Sequence, residues 1–484
     1  MTQTVELPLW LFVLIVLFAA ITFASHFLFP SVRWFFRRRL ERAVARLNRR
    51  LERPIQPFKL ARRYDMIQRL IYDPQVAQAI ADHARAQGIP ENVAFEEARR
   101  YAREIVPSFS AVAYFSIAIR LARFLSNAIY RVRLGHLDEA AVKAIDPEAT
   151  VVFVMNHRSN MDYVLITYLV ADRSALSYAV GEWARVWPLS RLIRAMGAYF
   201  IRRKSRNDLY RRVLATYVRL ATQGGVTQAI FPEGGLSLDG ALAQPKVGLL
   251  KYIVDGQAAQ GEGGRDVVFV PVALNYDRVL EDKILTSAAK SGDRRFRARI
   301  HVVAVRMLRQ LWLWATRRYQ RSGYAAVSFG RPLSLRDFVL CSGGEDTPTS
   351  LAQELMGRIG ECVPVLPVAL VAATVEYLPK GKQPLSRTDI EAGMDALLSR
   401  LPYAYIHTSR NDRGSAAELG LRQLTMRGIL RQTAGGYEVV ADQHDLLVYY
   451  ANSIRHLIPE PDTDGPKEAG IAAGAKGYSA SAGS

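Results

Sequence analysis

Cysteine is scarce in this chain: only Cys341 and Cys362 occur among 484 residues, and neither belongs to a C-x-x-C pair. This excludes a disulfide framework and cysteine-ligated zinc, and it is typical of a reducing compartment. Acidic residues are also few, with 45 against 64 lysines and arginines, which leaves a net charge of +19. The positive excess favours anionic partners: a membrane surface, a phosphorylated substrate or nucleic acid. The sequence indicates no metal site and no internal repeat.

Acidic and basic residues are absent from one long segment near the N-terminus. Residues 7–29 are almost entirely apolar, and about 20 such residues suffice for a helix that spans a hydrocarbon core. Glu6 precedes the run, whereas a signal peptide has a basic start and a shorter apolar core. Arginines crowd the segment from Arg33 to Arg53, so the positive-inside rule places the remainder in the cytoplasm. We therefore expect a single-pass protein of the inner (cytoplasmic) membrane whose arginines contact anionic phospholipid, and the charge needs no nucleic acid partner.

From about residue 150 onward, strand-like apolar runs alternate with helical segments. The runs lie at 151–155, 198–201, 227–231, 267–273, 300–305 and 325–329, and helical patterns at 208–222 and 308–319. This alternation predicts an α/β fold with a mixed, largely parallel sheet flanked by helices. Residues 94–131 mix apolar residues with arginines, which suits either a membrane interface or packing against the next domain. The predicted order is a membrane anchor at 1–30, a basic helical region at 31–145, a catalytic domain at 146–340, a linker at 364–384, a mostly helical domain at 385–458 and a disordered tail at 459–484.

A histidine and a carboxylate follow the first predicted strand. His157 comes just after it, and Asp162 stands five residues later at the head of a second apolar segment. A histidine oriented by a carboxylate can take a proton from a hydroxyl near neutral pH. Ser159 and Asp162 also fit a helix capping box, so Asp162 has a purely structural alternative. His407 and Asp412 share the spacing but lack an apolar run after them, which favours the first pair as the catalytic one.

Three further blocks lie where other predicted strands end. The first closes on Arg202 and Arg203, whose guanidinium groups can hold a phosphate, although a solvated basic turn fits as well. The second is FPEGG, where Glu233 either binds substrate hydroxyls or ends a turn, and the glycines let a ligand approach the backbone. Lys246, shortly after it, is another candidate phosphate contact. Pro271 interrupts the third block, VFVPVALNYD, and either shapes an apolar slot or belongs to a plain core strand.

In this order the four blocks resemble the glycerolipid acyltransferase superfamily, whose first motif is H-x4-D. They are most similar to the branch that acylates glycerol 3-phosphate or dihydroxyacetone phosphate: HRSNMDY (157–163) resembles its HRSxMDY, GAYFIRR (197–203) its GAxFIRR, FPEGG (231–235) its F-x-E-G-G, and VPV (270–272) its fourth motif. The resemblance implies a membrane-bound O-acyltransferase. This enzyme would move a fatty acyl group from acyl-CoA or acyl carrier protein to the sn-1 hydroxyl of glycerol 3-phosphate, the first step of phospholipid synthesis. It implies no metal and no resident cofactor.

The expected mechanism is direct transfer of the acyl group to the hydroxyl, without an enzyme nucleophile. His157 acts as the general base, and Asp162 fixes the tautomer of its imidazole. Backbone N–H groups at 159–161 are expected to stabilise the oxyanion. The expected substrate-binding residues are Arg158, Ser159, Arg202, Arg203, Glu233, Gly234, Gly235, Ser237, Lys246 and Pro271.

One position departs from the family pattern. Relatives usually carry an arginine directly after E-G-G or E-G-T to hold the acceptor's phosphate, and here that position is Leu236. Either Arg202, Arg203 or Lys246 replaces the missing cation, or the acceptor differs. The alternatives are therefore a lysophosphatidate acyltransferase and a non-catalytic membrane adaptor. The acyl carrier, the acyl chain length and the oligomeric state are left open by the sequence.

Overall fold

The computed structural model describes residues 8–171, 173–181, 189–202, 207–261, 263–292, 322–342, 347–378, 384–401 and 413–458. Within these ranges the side chains of residues 20, 21, 23–37, 40, 189 and 413 are not described. Several predictions fall outside the described residues: the strand at 300–305, the helix at 308–319, the tail at 459–484, and the positions of Arg203, His407 and Asp412.

An eight-stranded sheet forms the centre of the described structure, in the order β1-β7-β6-β2-β5-β3-β4 with β8 beside β6. The strands are β1 (Arg131–Leu137), β2 (Thr150–Met155), β3 (Ser177–Val180), β4 (Tyr199–Phe200), β5 (Gln228–Ile230), β6 (Val267–Tyr276), β7 (Tyr324–Phe329) and β8 (Leu333–Ser334). Only the β6–β7 and β6–β8 pairs are antiparallel among them. The predicted mixed, largely parallel sheet is therefore confirmed.

The strand sequences explain why the sheet is buried. β2 and β6 lie in the middle and are buried along their whole length, as continuous valine-rich runs are in sheets covered on both faces. β2, β5 and β6 run parallel, so the loops that follow them meet at one edge. In open α/β sheets this edge is where ligands bind. β1, where arginines alternate with apolar residues, and the short strands β3 and β8 were not predicted from the sequence.

Helices cover both faces of the sheet. They are α1 (Leu9–Asn48), α2 (Pro57–Leu60), α3 (Arg63–Ile71), α4 (Pro74–Gln87), α5 (Glu91–Ile105), α6 (Ile119–Ile129), α7 (Glu139–Lys143), α8 (Met161–Leu169), α9 (Leu189–Ala195), α10 (Asp208–Gln223), α11 (Gly248–Ala258), α12 (Asp282–Ser291), α13 (Leu335–Ser342), α14 (Thr347–Glu361), α15 (Pro367–Tyr377), α16 (Arg387–Ser399), α17 (Arg413–Met426) and α18 (His444–Asn452). A π-helical turn, Ala113–Ala118, leads into α6, short 3-10 turns flank α18, and β9 (Leu430–Thr433) and β10 (Gly436–Val439) form a separate hairpin. One face packs against α8 and α15 to α18, and the other against α3 to α5, α10, α11 and α14.

The long N-terminal helix α1 contains the apolar run in which the sequence predicts a membrane span. Among the described residues, no helix is both long and apolar enough to cross a membrane. The side chains of residues 20, 21 and 23–29 of the predicted span lie outside the described part of the chain. Toward its end, Val44 and Leu47 of α1 pack beside the turn that precedes α6, against a small apolar cluster that includes the buried Tyr114.

The structure differs from the predicted linker at 364–384. This segment contains α15, whose residues from Pro367 to Val375 are all buried. Its proline occupies the first helical turn, where the missing N–H costs nothing and the fixed φ suits a helix, so a proline-rich stretch does not indicate a linker here. The predicted mostly helical region at 385–458 forms α16 to α18 and the β9–β10 hairpin. It shares one hydrophobic core with the sheet.

Candidate active site

His157 and Asp162 face each other across the loop between β2 and α8. Asp162 lies in the first turn of α8, and its Oδ2 is 2.9 Å from Nδ1 of His157. The same oxygen accepts the backbone N–H of Arg158 at 2.8 Å and of Ser159 at 3.0 Å. His157 is 1% exposed and Asp162 is fully buried. The carboxylate thus accepts hydrogen bonds from the loop and contacts the imidazole at once, so the structural role of Asp162 does not exclude its contact with His157.

Tyr276, the last residue of β6, contacts Asp162 from the other side. Its hydroxyl donates to Oδ1 of Asp162 at 2.6 Å. Burial raises the pKa of Tyr276 well above its ordinary value, so the phenol is a neutral donor. With the imidazole Nδ1–H, the carboxylate accepts four hydrogen bonds. Because Asp162 contacts Nδ1, Nε2 is the ring nitrogen of His157 that this contact does not use.

Two aromatic rings hold the imidazole of His157 from its sides. The Phe231 ring stacks on it with centroids 4.0 Å apart, and the Tyr163 ring meets it edge-on at 5.5 Å. Such contacts limit the rotation of the imidazole and keep water away from it. The pair is therefore preorganised in a nearly dry environment, where a proton acceptor and its charged partner interact more strongly than in water.

Glu233 ties the E-G-G turn to the catalytic loop. Its carboxylate accepts the backbone N–H of His157 at 2.9 Å and of Ala243 at 3.2 Å, and the residue is 4% exposed. Burial raises the pKa of Glu233 to about 7, against the lowering effect of these hydrogen bonds. Of the two roles left open by the sequence, the structure places Glu233 in the loop-closing one.

Lys246 lies over the glycine turn that follows Glu233. Gly234 has a φ of +67°, and a Cβ there would lie 2.7 Å from Cδ of Lys246. Gly234 thus allows both the left-handed backbone and the close approach of the lysine. Gly235 lies in the same turn, partly buried, and Leu236 packs partly buried against the main core. The side chain that replaces the usual arginine is therefore directed toward apolar neighbours.

Glu281, between β6 and α12, is a loop-holding residue that the sequence analysis missed. Its carboxylate accepts the Ser159 hydroxyl at 2.8 Å and the Asn160 side-chain amide at 3.0 Å. Burial raises the pKa of Glu281. The only sequence signal was an acidic pair, Glu281 and Asp282, soon after the fourth block, and nothing local connected it to a loop more than a hundred residues earlier.

The predicted oxyanion donors are already engaged inside the protein. The N–H of Ser159 donates to Asp162, that of Asn160 to Glu281 at 3.3 Å, and that of Met161 to the Ser159 hydroxyl at 3.1 Å. The prediction that these amides stabilise an oxyanion is wrong for this arrangement, because no amide of the three is left to donate. The Ser159 hydroxyl is likewise engaged: it donates to Glu281 and accepts the N–H of Met161.

Arg158 is a structural residue and does not face a substrate, contrary to the prediction. It is 2% exposed, and its guanidinium donates to the backbone carbonyls of Gly240 and Ser453, the latter at 3.0 Å. Gly240 itself lies so close to the end of α18 that a Cβ would collide with the carbonyl of Tyr449. Arg158, next to His157, therefore joins the loop between β2 and α8 to the C-terminal helix α18.

The remaining predicted contacts are also partly engaged. Arg202 forms a two-point ion pair with Glu104 of α5, at 2.6 and 2.9 Å, and its side chain is 33% exposed. The Ser237 hydroxyl donates to the carbonyl of Ala241 at 2.7 Å. Pro271 is buried within β6, beside the gap between β7 and β8, where its missing N–H breaks no ladder bond. Pro271 thus fits the core-strand alternative.

Metal ligands do not cluster in the described part of the chain. No group of three or more His, Cys, Asp or Glu side chains there is placed to hold a metal ion.

Two segments of the chain are similar to known acyltransferase families. Residues 137–275 match the family model Acyltransferase, and residues 309–461 match the model Glycerol-3-phosphate acyltransferase C-terminal region. The chain is 26% identical to the glycerol-3-phosphate acyltransferase of Pseudomonas putida over 426 residues, covering 83% of this chain and 50% of the relative. It is 27% identical to the enzyme of that name from Pseudomonas entomophila over 450 residues, covering 87% and 52%. The resemblance indicated by the four sequence blocks is confirmed.

The coverage of these relatives is partial. The chain spans about half the length of the curated relatives it matches. A solved structure, the 1-acyl-sn-glycerophosphate (LPA) acyltransferase PlsC from Thermotoga maritima, is similar with a TM-score of 0.29 and 18% identity, covering 54% of this chain and 83% of that one. At this TM-score the likeness carries no weight for the fold or the activity of the chain.

Proposed function

Because an acyltransferase domain is followed here by a glycerol-3-phosphate acyltransferase C-terminal region, we propose that the chain transfers a fatty acyl group to the sn-1 hydroxyl of glycerol 3-phosphate. The observation that carries this proposal is the buried His157–Asp162 pair, with Nδ1 held at 2.9 Å by a carboxylate that three further donors stabilise. A histidine held this way is suited to deprotonate a hydroxyl. The donor is an acyl thioester, carried on coenzyme A or acyl carrier protein.

The reaction needs one base and no enzyme nucleophile. Nε2 of neutral His157 takes the proton of the acceptor hydroxyl. At the same time, the hydroxyl oxygen forms a bond to the thioester carbonyl carbon. The C–S bond then breaks, and the leaving thiolate takes the proton from the imidazolium. Asp162 stabilises the imidazolium during the step and keeps the tautomer that exposes Nε2. The products are an ester and a free thiol, so both proton and acyl group are accounted for.

We propose that the phosphate of the acceptor is held by cations near the E-G-G turn and the end of β4. Lys246 lies exposed over the Gly234 turn. Arg202 keeps a third of its side chain accessible beside Glu104, and Arg203 directly follows it in sequence. Relatives usually carry an arginine at the position that Leu236 occupies here. Two or more of these cationic groups can take its place, because phosphate accepts several charge-assisted hydrogen bonds.

We also propose that the protein works at the cytoplasmic face of the inner membrane. Large apolar side chains of α1 are exposed, with Leu9 at 80% and Phe18 at 71%, and α6 exposes Leu121 and Phe124. Contiguous exposed apolar surface marks a membrane or partner contact, and the arginines that follow favour anionic lipid. Flotation with phosphatidylglycerol vesicles should exceed flotation with phosphatidylcholine vesicles and should fall when residues 1–30 are deleted. Equal flotation before and after the deletion would contradict the proposed attachment.

The acceptor assignment is tested with a direct assay of the full chain. The protein receives labelled acyl-CoA or acyl carrier protein with glycerol 3-phosphate, dihydroxyacetone phosphate or lysophosphatidate, and the products are identified. We expect 1-acylglycerol 3-phosphate as the main product. Acylation of lysophosphatidate alone would assign the second acylation step instead. Absence of any product above that of the His157→Ala variant would make the chain a non-catalytic adaptor.

A further inference from the structure

We propose that Tyr276 is a positioning residue that holds the carboxylate of Asp162 in the orientation that contacts His157, and so sets the pH range in which His157 works as a base. The proposal deepens the acyl-transfer function and rests on it. Tyr276 ends β6, whereas Asp162 begins α8, so the contact joins the fourth block to the first. No motif assigns a role to this tyrosine, and its hydroxyl makes the shortest of the four hydrogen bonds described for Asp162, at 2.6 Å.

The Tyr276 hydroxyl contacts a different oxygen of the Asp162 carboxylate from the other three donors. The imidazole and the two loop amides all contact Oδ2 of Asp162, whereas Tyr276 contacts Oδ1. Tyr276 is therefore the donor that fixes the plane of the carboxylate and directs Oδ2 toward the imidazole. The loop amides cannot take over this role, because they lie on the other oxygen.

The surroundings make this donor important for the charge of Asp162. Two further buried carboxylates act on Asp162, and both disfavour a second negative charge nearby. The guanidinium of Arg158 opposes them, while the neighbouring tyrosines are neutral. The titratable or charged groups described around the pair are Arg158, Tyr163, Glu233, Glu281, Tyr130, Tyr276 and Tyr449. Without the Tyr276 hydroxyl, the Asp162 carboxylate would depend on the imidazole and the two loop amides for its hydrogen bonds.

The decisive variant is Tyr276→Phe, which removes one oxygen and keeps the ring. The matched control is Tyr130→Phe. Tyr130 is equally buried at 1% exposure, its ring centroid lies 5.2 Å from that of Tyr276, and its hydroxyl donates to the carbonyl of Arg278 at 2.8 Å. Both variants lose one hydrogen bond from the same aromatic cluster, but only Tyr276→Phe loses a donor to Asp162.

The first readout does not depend on acyl transfer. The imidazole of His157 is titrated by NMR in the full chain with labelled histidine, and its signal is identified by its absence from His157→Ala. In Tyr276→Phe we expect the apparent pKa of the His157–Asp162 pair to rise by about one unit, since one charge-assisted hydrogen bond to the carboxylate is lost. Tyr130→Phe should leave the titration where it is in the wild type.

The second readout is the pH dependence of kcat. In Tyr276→Phe the acid limb should move upward by the same amount, and kcat at neutral pH should fall about tenfold, whereas the KM for the acceptor should stay within about twofold. In an Asp162→Asn background, Tyr276→Phe should cause no further shift of the titration. An unshifted His157 titration in Tyr276→Phe, or an equal shift in Tyr130→Phe, overturns the proposal. If the wild type transfers no acyl group, the proposed function fails while the NMR titration still decides the role of Tyr276.

Discussion

The loop that carries His157 and the strand end that carries Arg202 contrast sharply, although both belong to sequence blocks with a recognisable pattern. In the loop, three of the four donors to Asp162 come from residues 157–159, immediately before it. At the strand end, the guanidinium of Arg202 is paired with Glu104, 98 residues away in the sequence. The contact between His157 and Asp162 is thus local to its block, although distant residues support it, whereas the ion pair of Arg202 requires a distant helix.

The difference shows which functional inferences a motif can support. The short H-x4-D spacing places a carboxylate in the first turn of a helix, where it meets the preceding backbone amides, so the geometry of the pair is largely local. A basic block predicts only that cations lie at a strand end. Whether those cations are available to a phosphate depends on acidic neighbours that the motif does not contain.

Removing the base should have the largest effect. His157→Ala leaves no proton acceptor for the hydroxyl, so kcat for acyl transfer should fall by about a thousandfold or more, which is the range for loss of a general base combined with its hydrogen-bonded partner. The measurement is the initial rate with labelled acyl thioester and glycerol 3-phosphate.

His444→Ala serves as the matched control for this variant. His444 is exposed and contacts Glu376 at 2.9 Å, far from the catalytic loop in sequence. We expect near-normal rates for it, together with unchanged vesicle binding for both variants. Near-normal activity of purified His157→Ala would refute the mechanism.

The second test concerns Arg158, which joins the loop between β2 and α8 to the C-terminal helix α18. Arg158→Ala should lower the free energy of unfolding by about 3 kcal/mol, because two buried carbonyls lose a charged donor. The free energy of unfolding of Arg158→Lys should lie between those of the wild type and Arg158→Ala, since an ammonium cannot reproduce the planar fork of a guanidinium. Urea unfolding measures both. A stable Arg158→Ala protein with a raised acceptor KM would instead restore the substrate-binding role that the sequence predicted.

Much of the fold was predictable because its signals are local. The apolar runs predicted β2, β5, β6 and β7, and the pattern of apolar residues predicted α10 with nearly its observed bounds. The catalytic pair was predictable for the same reason. β1 was missed because its half-exposed residues include arginines, which lack the apolar signal of a buried strand.

The roles of individual site residues were less predictable, because they depend on contacts between distant segments. Arg158 was assigned to substrate, yet its partners Gly240 and Ser453 lie 82 and 295 residues away. Glu281 and Tyr276 reach the catalytic loop from another strand end. A periodic pattern carries no information about such pairings, so only the tertiary structure separates a residue that holds the loop from one that meets the substrate.

The third test uses the raised pKa of Glu233. Burial in the folded state raises the pKa of Glu233 from 4.5 to about 7, so the folded protein keeps this proton to a higher pH than the unfolded chain does. The folded state therefore binds more protons than the unfolded chain between these values, and the free energy of unfolding should fall by up to about 3 kcal/mol as the pH rises through this window. Glu233→Gln cannot titrate, so its unfolding free energy should fall less over the same window.

Some pH dependence should remain in Glu233→Gln. Burial also raises the pKa of Asp277, to about 6, and this contributes with the same sign. Urea unfolding at several pH values between 4.5 and 8 compares the variant with the wild type. Parallel curves for the two proteins would mean that Glu233 does not carry the proton.

The smallest effect is expected at the strand end, where the contrast with the catalytic loop is sharpest. If Arg202 shares the acceptor's phosphate while paired with Glu104, Arg202→Ala should raise the KM for glycerol 3-phosphate about three- to tenfold with little change in kcat. Glu104→Gln keeps the shape of the partner but removes its charge, so the guanidinium interacts more freely and the KM should stay equal or fall up to about threefold. Because the pair is partly exposed, either change should alter the unfolding free energy by less than about 1 kcal/mol. A rise in KM confined to the acyl thioester would assign Arg202 to the other substrate, and unchanged kinetics in both variants would leave the ion pair with a structural role alone.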